Sequence, residues 1–117
     1  MNEKPNSVLE KSYAFALKIV RLYKQLSEVN REFVMSRQLL INGTEIGEYV
    51  TTAQNAGNRT VFHQDMNTAL RKAERTQYWL KLLFDSEYLE AAEFTSINAD
   101  CVELIRLLTA ITKTTRT

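Results

Sequence analysis

The sequence predicts an all-α fold, an antiparallel up-down-up-down four-helix bundle, from three observations. Apolar residues recur at steps of three and four along four long stretches. Only three Gly and one Pro punctuate 117 residues, too few for the turns of a β architecture. The breaks that do occur, at Asn30-Arg31, Asn55-Ala56-Gly57-Asn58 and Asp85-Ser86, divide the chain into stretches of matched length. Helices of about 24 residues are roughly 36 Å long at 1.5 Å per residue, and short turns between such rods favour antiparallel neighbours. A chain of this length is expected to form one domain spanning 1–117, with enough buried surface for a core of its own.

The first helix is expected over 7–29. Asn6 or Ser7 caps it, with Glu10 three residues after Ser7 as in a capping box. Leu9, Tyr13, Ala16, Leu17, Val20, Tyr23 and Leu26 form its apolar stripe. The second helix is expected over 32–55, with Phe33, Leu39 or Leu40, Ile46, Val50 and Ala53 turned inward. Gly43 and Gly47 lie four apart on one face. Each costs up to about 1 kcal/mol relative to Ala in a helix interior. Close approach of a neighbouring helix would offset that cost; a kink at Asn42-Gly43 is the alternative. The turn at 55–58 follows, made of residues that tolerate positive φ.

Thr60 is the expected cap of a third helix over 60–85. Its apolar face is Phe62, Met66, Ala69, Leu70, Ala73, Tyr78 or Trp79, Leu80 and Leu83. The fourth helix is expected over 89–113, with Leu89, Phe94, Ile97, Cys101, Leu104, Ile105, Leu108 and Ile111 as its stripe. Glu87, Glu90 and Glu93 near its start, and Arg106 and Lys113 near its end, carry the signs a helix dipole favours. Residues 1–6 and 114–117 are expected to be loose.

Composition bounds the function. A net charge of +1 is too weak a field to imply nucleic acid by itself, and leaves little repulsion to keep copies apart. The single cysteine, Cys101, allows no internal disulfide and fits a reducing compartment. No signal-peptide core and no apolar run of membrane-spanning length is visible. A soluble cytoplasmic protein with no membrane partner is expected.

The sequence carries no ligand set for the chemistry that helical bundles often hold. A di-iron site needs Glu-x-x-His pairs, but His63 is the only histidine and Thr60 stands three residues before it. One His and one Cys do not make a zinc site. Cys101 falls on the apolar stripe of the fourth helix, where a cysteine acts as a small hydrophobe. The glycines at 43, 47 and 57 form no phosphate loop. No catalytic, cofactor-binding or metal residue is expected, no small-molecule ligand is evident, and an enzyme is not expected.

Two kinds of surface remain as candidates. Lys11, Lys18, Arg21 and Lys24 make a basic ridge on the first helix that could contact phosphates, with Arg71, Lys72 and Arg75 a smaller cluster on the third. A solvated charged face is the plainer reading of both. Tyr78-Trp79 could stack on bases, although an aromatic pair in an apolar helix is more often core or interface. Adjacent helical residues point about 100° apart, so both cannot face one narrow core. Leu39-Leu40-Ile41 likewise covers most of a helix circumference. The candidate oligomer interface is therefore Leu39, Ile41, Gly43, Gly47, Tyr78 and Trp79.

Arg37-Gln38-Leu39-Leu40, Gly43-Thr44, Ile46-Gly47, Ala69-Leu70, Ala73, Thr76 and Tyr78-Trp79-Leu80 together resemble the bacterial four-helix-bundle proteins related to the 23S ribosomal RNA intervening-sequence protein. The resemblance covers most of the chain and is specific in the hairpin 37–83. It implies an up-down bundle and a ring-like homopentamer, the assembly of relatives such as the accessory variability protein of diversity-generating retroelements. That relative associates with a reverse transcriptase and nucleic acid. The resemblance therefore implies a homo-oligomer whose further partner is RNA, DNA or a nucleic-acid enzyme; the alternative is a purely protein-binding module. No catalytic residue carries over. Departures from the family pattern are Ile41 in place of Arg, Glu45, Glu48 and Tyr49 around the glycines, and Lys72 and Arg75 at acidic positions. Folding the hairpin about Gly57 brings 41–48 level with 67–75, so Glu45 or Glu48 is expected to pair with Arg71 or Arg75.

Overall fold

A computed structural model describes residues 7–116 and shows an all-α protein of four helices, with no strand among the described residues. The helices are α1 (Ser7–Lys24), α2 (Met35–Ala53), α3 (Arg59–Asp85) and α4 (Ala91–Thr115). The expected Asn6 cap, and the expected looseness at 1–6 and at Thr117, lie outside the described residues. Contacts descend along one helix of each neighbouring pair as they rise along the other. Ile19 and Ser12 of α1 meet Gly43 and Gly47 of α2. Glu45 and Thr52 of α2 meet Lys72 and Asp65 of α3. Ala73, Gln77 and Phe84 of α3 meet Cys101, Asn98 and Phe94 of α4. Lys11 and Lys18 of α1 meet Glu103 and Asp100 of α4. Each pair therefore runs antiparallel.

The inner face of α1 differs from the expected stripe. Val8, Ser12, Phe15, Ile19, Leu22 and Leu26 are buried, whereas Tyr13 is 67% and Leu17 43% exposed. Apolar residues wrap most of this helix, so steps of three and four fit two stripes equally well. Packing selects the one that contains Ser12, because a small side chain is needed where the backbone of α2 passes at Gly47. The Ser12 hydroxyl is not left wanting, since it donates to Leu9 O at 3.1 Å.

Gly43 and Gly47 lie within an unbroken α2, and close approach is what they provide. A Cβ on Gly43 would stand 2.9 Å from Cγ1 and Cγ2 of Ile19, and one on Gly47 would stand 3.3 Å from the Ser12 carbonyl oxygen. Leu39, Ile46, Val50 and Ala53 complete the inner face of α2. Phe33 precedes the helix and is exposed.

The turns depart from expectation in instructive ways. α1 widens into a π-helical turn over Gln25–Val29, then Asn30 N donates to Gln25 O and Glu32 N to Leu26 O. Arg31 follows the cap with φ 57°. α2 begins at Met35, three residues later than expected, because the Glu32 side chain occupies the amides that would open the helix. Gly57 does not use a positive φ. The cap of α3 is Asn58 and not Thr60: Asn58 Oδ1 accepts from Val61 N at 2.9 Å.

α3 ends in a Schellman motif, with Tyr88 N donating to Leu83 O and Glu87 N to Phe84 O. Its left-handed residue is Glu87, φ 71°, at a position where a Cβ is costly. Replacing Glu87 with Gly is expected to raise the unfolding free energy by roughly 0.5–1 kcal/mol. Urea denaturation followed by circular dichroism checks this; a loss of stability would show that the Glu87 side chain makes a compensating contact. α4 reaches Thr115, beyond the expected end at 113, because α3 holds its final turn. Arg59 donates to Thr114 O at 2.7 Å and Thr115 O at 3.3 Å. The Thr115 hydroxyl lies 2.9 Å from Ile111 O and 2.8 Å from His63 Nδ1, so the His63 ring is tied to the last turn of α4.

Candidate interaction surface

The residues singled out for chemistry are used in packing. Cys101 is fully buried on α4, its thiol directed at Ala73 O at 3.4 Å. Burial, and then the neighbouring Asp100 charge, push this thiol up to about 12. A thiol so placed has almost no thiolate at neutral pH. Thiol-specific alkylation of the folded chain is therefore expected to be at least about 100-fold slower than in denaturant; equal rates would contradict the buried position. His63 is committed to the end of α4. Among the described residues no group of three or more His, Cys, Asp and Glu could hold a metal ion, and no helix is long and apolar enough to cross a membrane.

The basic ridge is divided by its acidic neighbours. Lys11 Nζ lies 2.6 Å from Glu103 Oε2, and Lys18 Nζ lies 2.6 Å from Asp100 Oδ2. Both lysines lean across to α4. Arg21 and Lys24 are exposed, with no ion pair among the described residues. The ridge expected from α1 alone is thus reduced because spacing within one helix does not reveal what the facing helix presents. On α3, Arg71 pairs with Glu74 along its own helix at 2.8 Å.

Lys72 is the residue that reaches α2, 2.9 Å from Glu45 Oε1. The expected level of the hairpin holds, but the partner of Glu45 is Lys72 and not Arg71 or Arg75. Position 72 lies on the α2 side of α3, one heptad from Asp65, whereas Arg71 and Arg75 are exposed. Glu45 Oε1 is cut off from solvent, and among the described residues its ion-pair partner is Lys72. Replacing Lys72 with Met is expected to cost about 1–2 kcal/mol, since the carboxylate keeps its place but loses its counter-charge. A further Glu45→Gln change should recover part of that loss in urea denaturation.

The candidate interface residues also separate. Leu39 is fully buried in the core, and Gly43 and Gly47 face α1, so these three pack within the chain. Ile41 is 38% exposed and Tyr78 61%. Trp79 is half-buried against the core and meets the Tyr78 ring edge-on at 5.1 Å. Leu80, beside them, is the residue that enters the core. Tyr13 and Leu17, four apart on α1 and expected in its inner stripe, instead add an exposed apolar strip. The signal that could have found it is the double stripe of α1. Val102 is exposed on α4, and Val29, Phe33 and Val34 lie exposed around the first turn, where the Arg31 guanidinium sits 5.3 Å from the Phe33 ring centroid.

Comparison with known proteins places this fold. A family model described as 23S rRNA-intervening sequence protein matches residues 4–110. Among solved structures, the chain is similar to a protein of unknown function from the S23 ribosomal protein family of Bacteroides thetaiotaomicron VPI-5482. The two share 44% identity with a TM-score of 0.89, over 91% of this chain and 98% of that one. No curated protein matches.

Proposed function

The chain belongs to the 23S rRNA-intervening sequence protein family, and from that premise we propose that it is a non-enzymatic, self-assembling helical module that works as an interaction or scaffold protein. The observation that carries this reading is apolar surface left outside the core on separate helices: Tyr13 and Leu17 on α1, Ile41 on α2 and Tyr78 on α3. Single exposed apolar residues are ordinary, but a strip on a helix face with little net charge behind it favours association. A ring requires two different complementary faces on each subunit, and apolar residues spread over several helices fit that requirement. The assembly we favour is the homopentamer that the family resemblance implies.

Light scattering at micromolar concentration tests the proposal. The expected mass is a multiple of 13.5 kDa, and Tyr13→Asp combined with Leu17→Asp should yield a smaller species with unchanged helical circular dichroism. A monomeric mass for the unaltered chain overturns it.

A nucleic-acid partner, whether RNA, DNA or an enzyme acting on them, is favoured by one observation: Arg21 and Lys24 are exposed without a carboxylate partner among the described residues. Repeated by symmetry, they would give the assembly a basic band that one subunit lacks. Arg21→Ala with Lys24→Ala is then expected to weaken salt-dependent retention of structured RNA. Absence of any retention at low salt leaves the purely protein-binding module.

A further inference from the structure

The four helix–helix contacts are unequal, and the weakest one closes the bundle. α1 and α2 are held by the close approach at Gly43 and Gly47. α3 and α4 are held by the stacked Phe84 and Phe94 rings, 4.4 Å apart, and by the buried Cys101. The contact between α2 and α3 is the most extensive, and that between α1 and α4 the sparsest. Two open clefts lie along this last seam, one of about 240 Å³ reaching Leu22 and Ile97 and one of about 110 Å³ reaching Phe15 and Leu104. Two ion pairs span it, Lys11–Glu103 and Lys18–Asp100, with all four side chains 36–49% exposed. Arg21 and Glu93 line the wider cleft, yet no ion pair joins them among the described residues.

From this geometry we infer that the bundle opens at the α1–α4 seam, hinged on the α2–α3 contact, with the two lysine–carboxylate pairs as its latch. α1 moves with α2, and α4 with α3, so each tightly packed pair stays whole. Opening uncovers Phe15, Leu22, Ile97 and Leu104, while the apolar contact between α2 and α3 remains closed. Exposed ion pairs are individually weak and screened by salt, so a latch built from them is released by ionic strength where an apolar seam would not be. Local opening of this kind has a free energy below that of global unfolding.

Native-state hydrogen exchange on the full chain, read by mass spectrometry, tests the device. Peptides from α1 and α4 should exchange faster than those from α2 and α3. Raising the salt concentration, or making Lys18→Met, should accelerate α1 and α4 by about threefold to tenfold and leave α2 and α3 unchanged. The exchanged pair Lys18→Asp with Asp100→Lys should restore slow exchange. Exchange of all four helices at one rate, or α1 and α4 rates that ignore salt, overturns the inference. The salt series on the unaltered chain decides the matter if a variant fails to fold.

Discussion

Replacing Gly43 with Ala is expected to lower the unfolding free energy by roughly 1–2 kcal/mol. Two opposing effects set the figure. Ala is the better helix residue by about 1 kcal/mol, which favours the variant. Against that, the new methyl would meet both γ-carbons of Ile19 at 2.9 Å, well inside contact distance. Ile19 is fully buried and β-branched, so it has no other rotamer to adopt without disturbing α1. Overpacking of this kind costs about 1–3 kcal/mol, and here it outweighs the propensity gain. The other two glycines serve as internal controls. Gly47→Ala brings its methyl to 3.3 Å from the Ser12 carbonyl oxygen, a milder conflict, and should cost less. At Gly57 an added Cβ meets nothing within 4 Å and φ is not positive. Gly57→Ala should therefore be neutral, or stabilise by roughly 0.4–1 kcal/mol through the unfolded chain. Urea denaturation of the three variants checks the order. Equal effects at positions 43 and 57 would mean that α1 moves aside at little cost.

The same contact shows what the sequence could and could not disclose. Two glycines one turn apart, in a helix with no other breaker, announce a close neighbour, and that much is legible from composition and spacing. Which neighbour is not legible, because the pattern is the same whether α1 or a second subunit approaches. The inward stripe of α3 was readable at Met66, Ala69, Leu70, Ala73, Leu80 and Leu83, since polar residues mark its other side. On α1 it was not, since Tyr13, Leu17 and Val20 offer the spacing as well as Phe15, Ile19 and Leu22 do. The charge partners followed a similar rule. Hairpin geometry gave the level at which Glu45 finds a cation, but the rotation of α3 decided for Lys72 over Arg71 and Arg75. The candidate surface depended on these rotations, so its apolar part shifted toward Tyr13 and Leu17, and its basic part shrank to Arg21 and Lys24.

Replacing Glu32 with Ala is expected to cost about 2 kcal/mol at neutral pH, and to remove a component of acid sensitivity. Glu32 was legible as the place where a second helix should begin, but its action as a cap from three residues before that helix was not. Its carboxylate accepts from Ser36 N at 2.7 Å, Met35 N at 3.0 Å and Val34 N at 3.2 Å, while the Ser36 hydroxyl donates to Glu32 O at 2.7 Å. Truncation leaves these amides facing the loop unpaired, at a helix end where a negative charge also suits the dipole. Burial pushes the Glu32 carboxyl up, but the amides of Met35, Ser36 and Val34 outweigh it and hold the group below the ordinary carboxylate range. A carboxylate held low stabilises the fold at pH values above its unfolded pKa. That contribution disappears as pH falls through the lower, folded value. Glu32→Gln separates charge from hydrogen bonding, because its amide oxygen still accepts but carries no charge. At neutral pH it should fall between the unaltered chain and Glu32→Ala. In acid, once Glu32 is protonated, its deficit should shrink toward zero. Thermal or urea unfolding of all three chains at neutral and acidic pH makes the comparison, and a deficit for Glu32→Gln that is the same at both would rule out the charged cap.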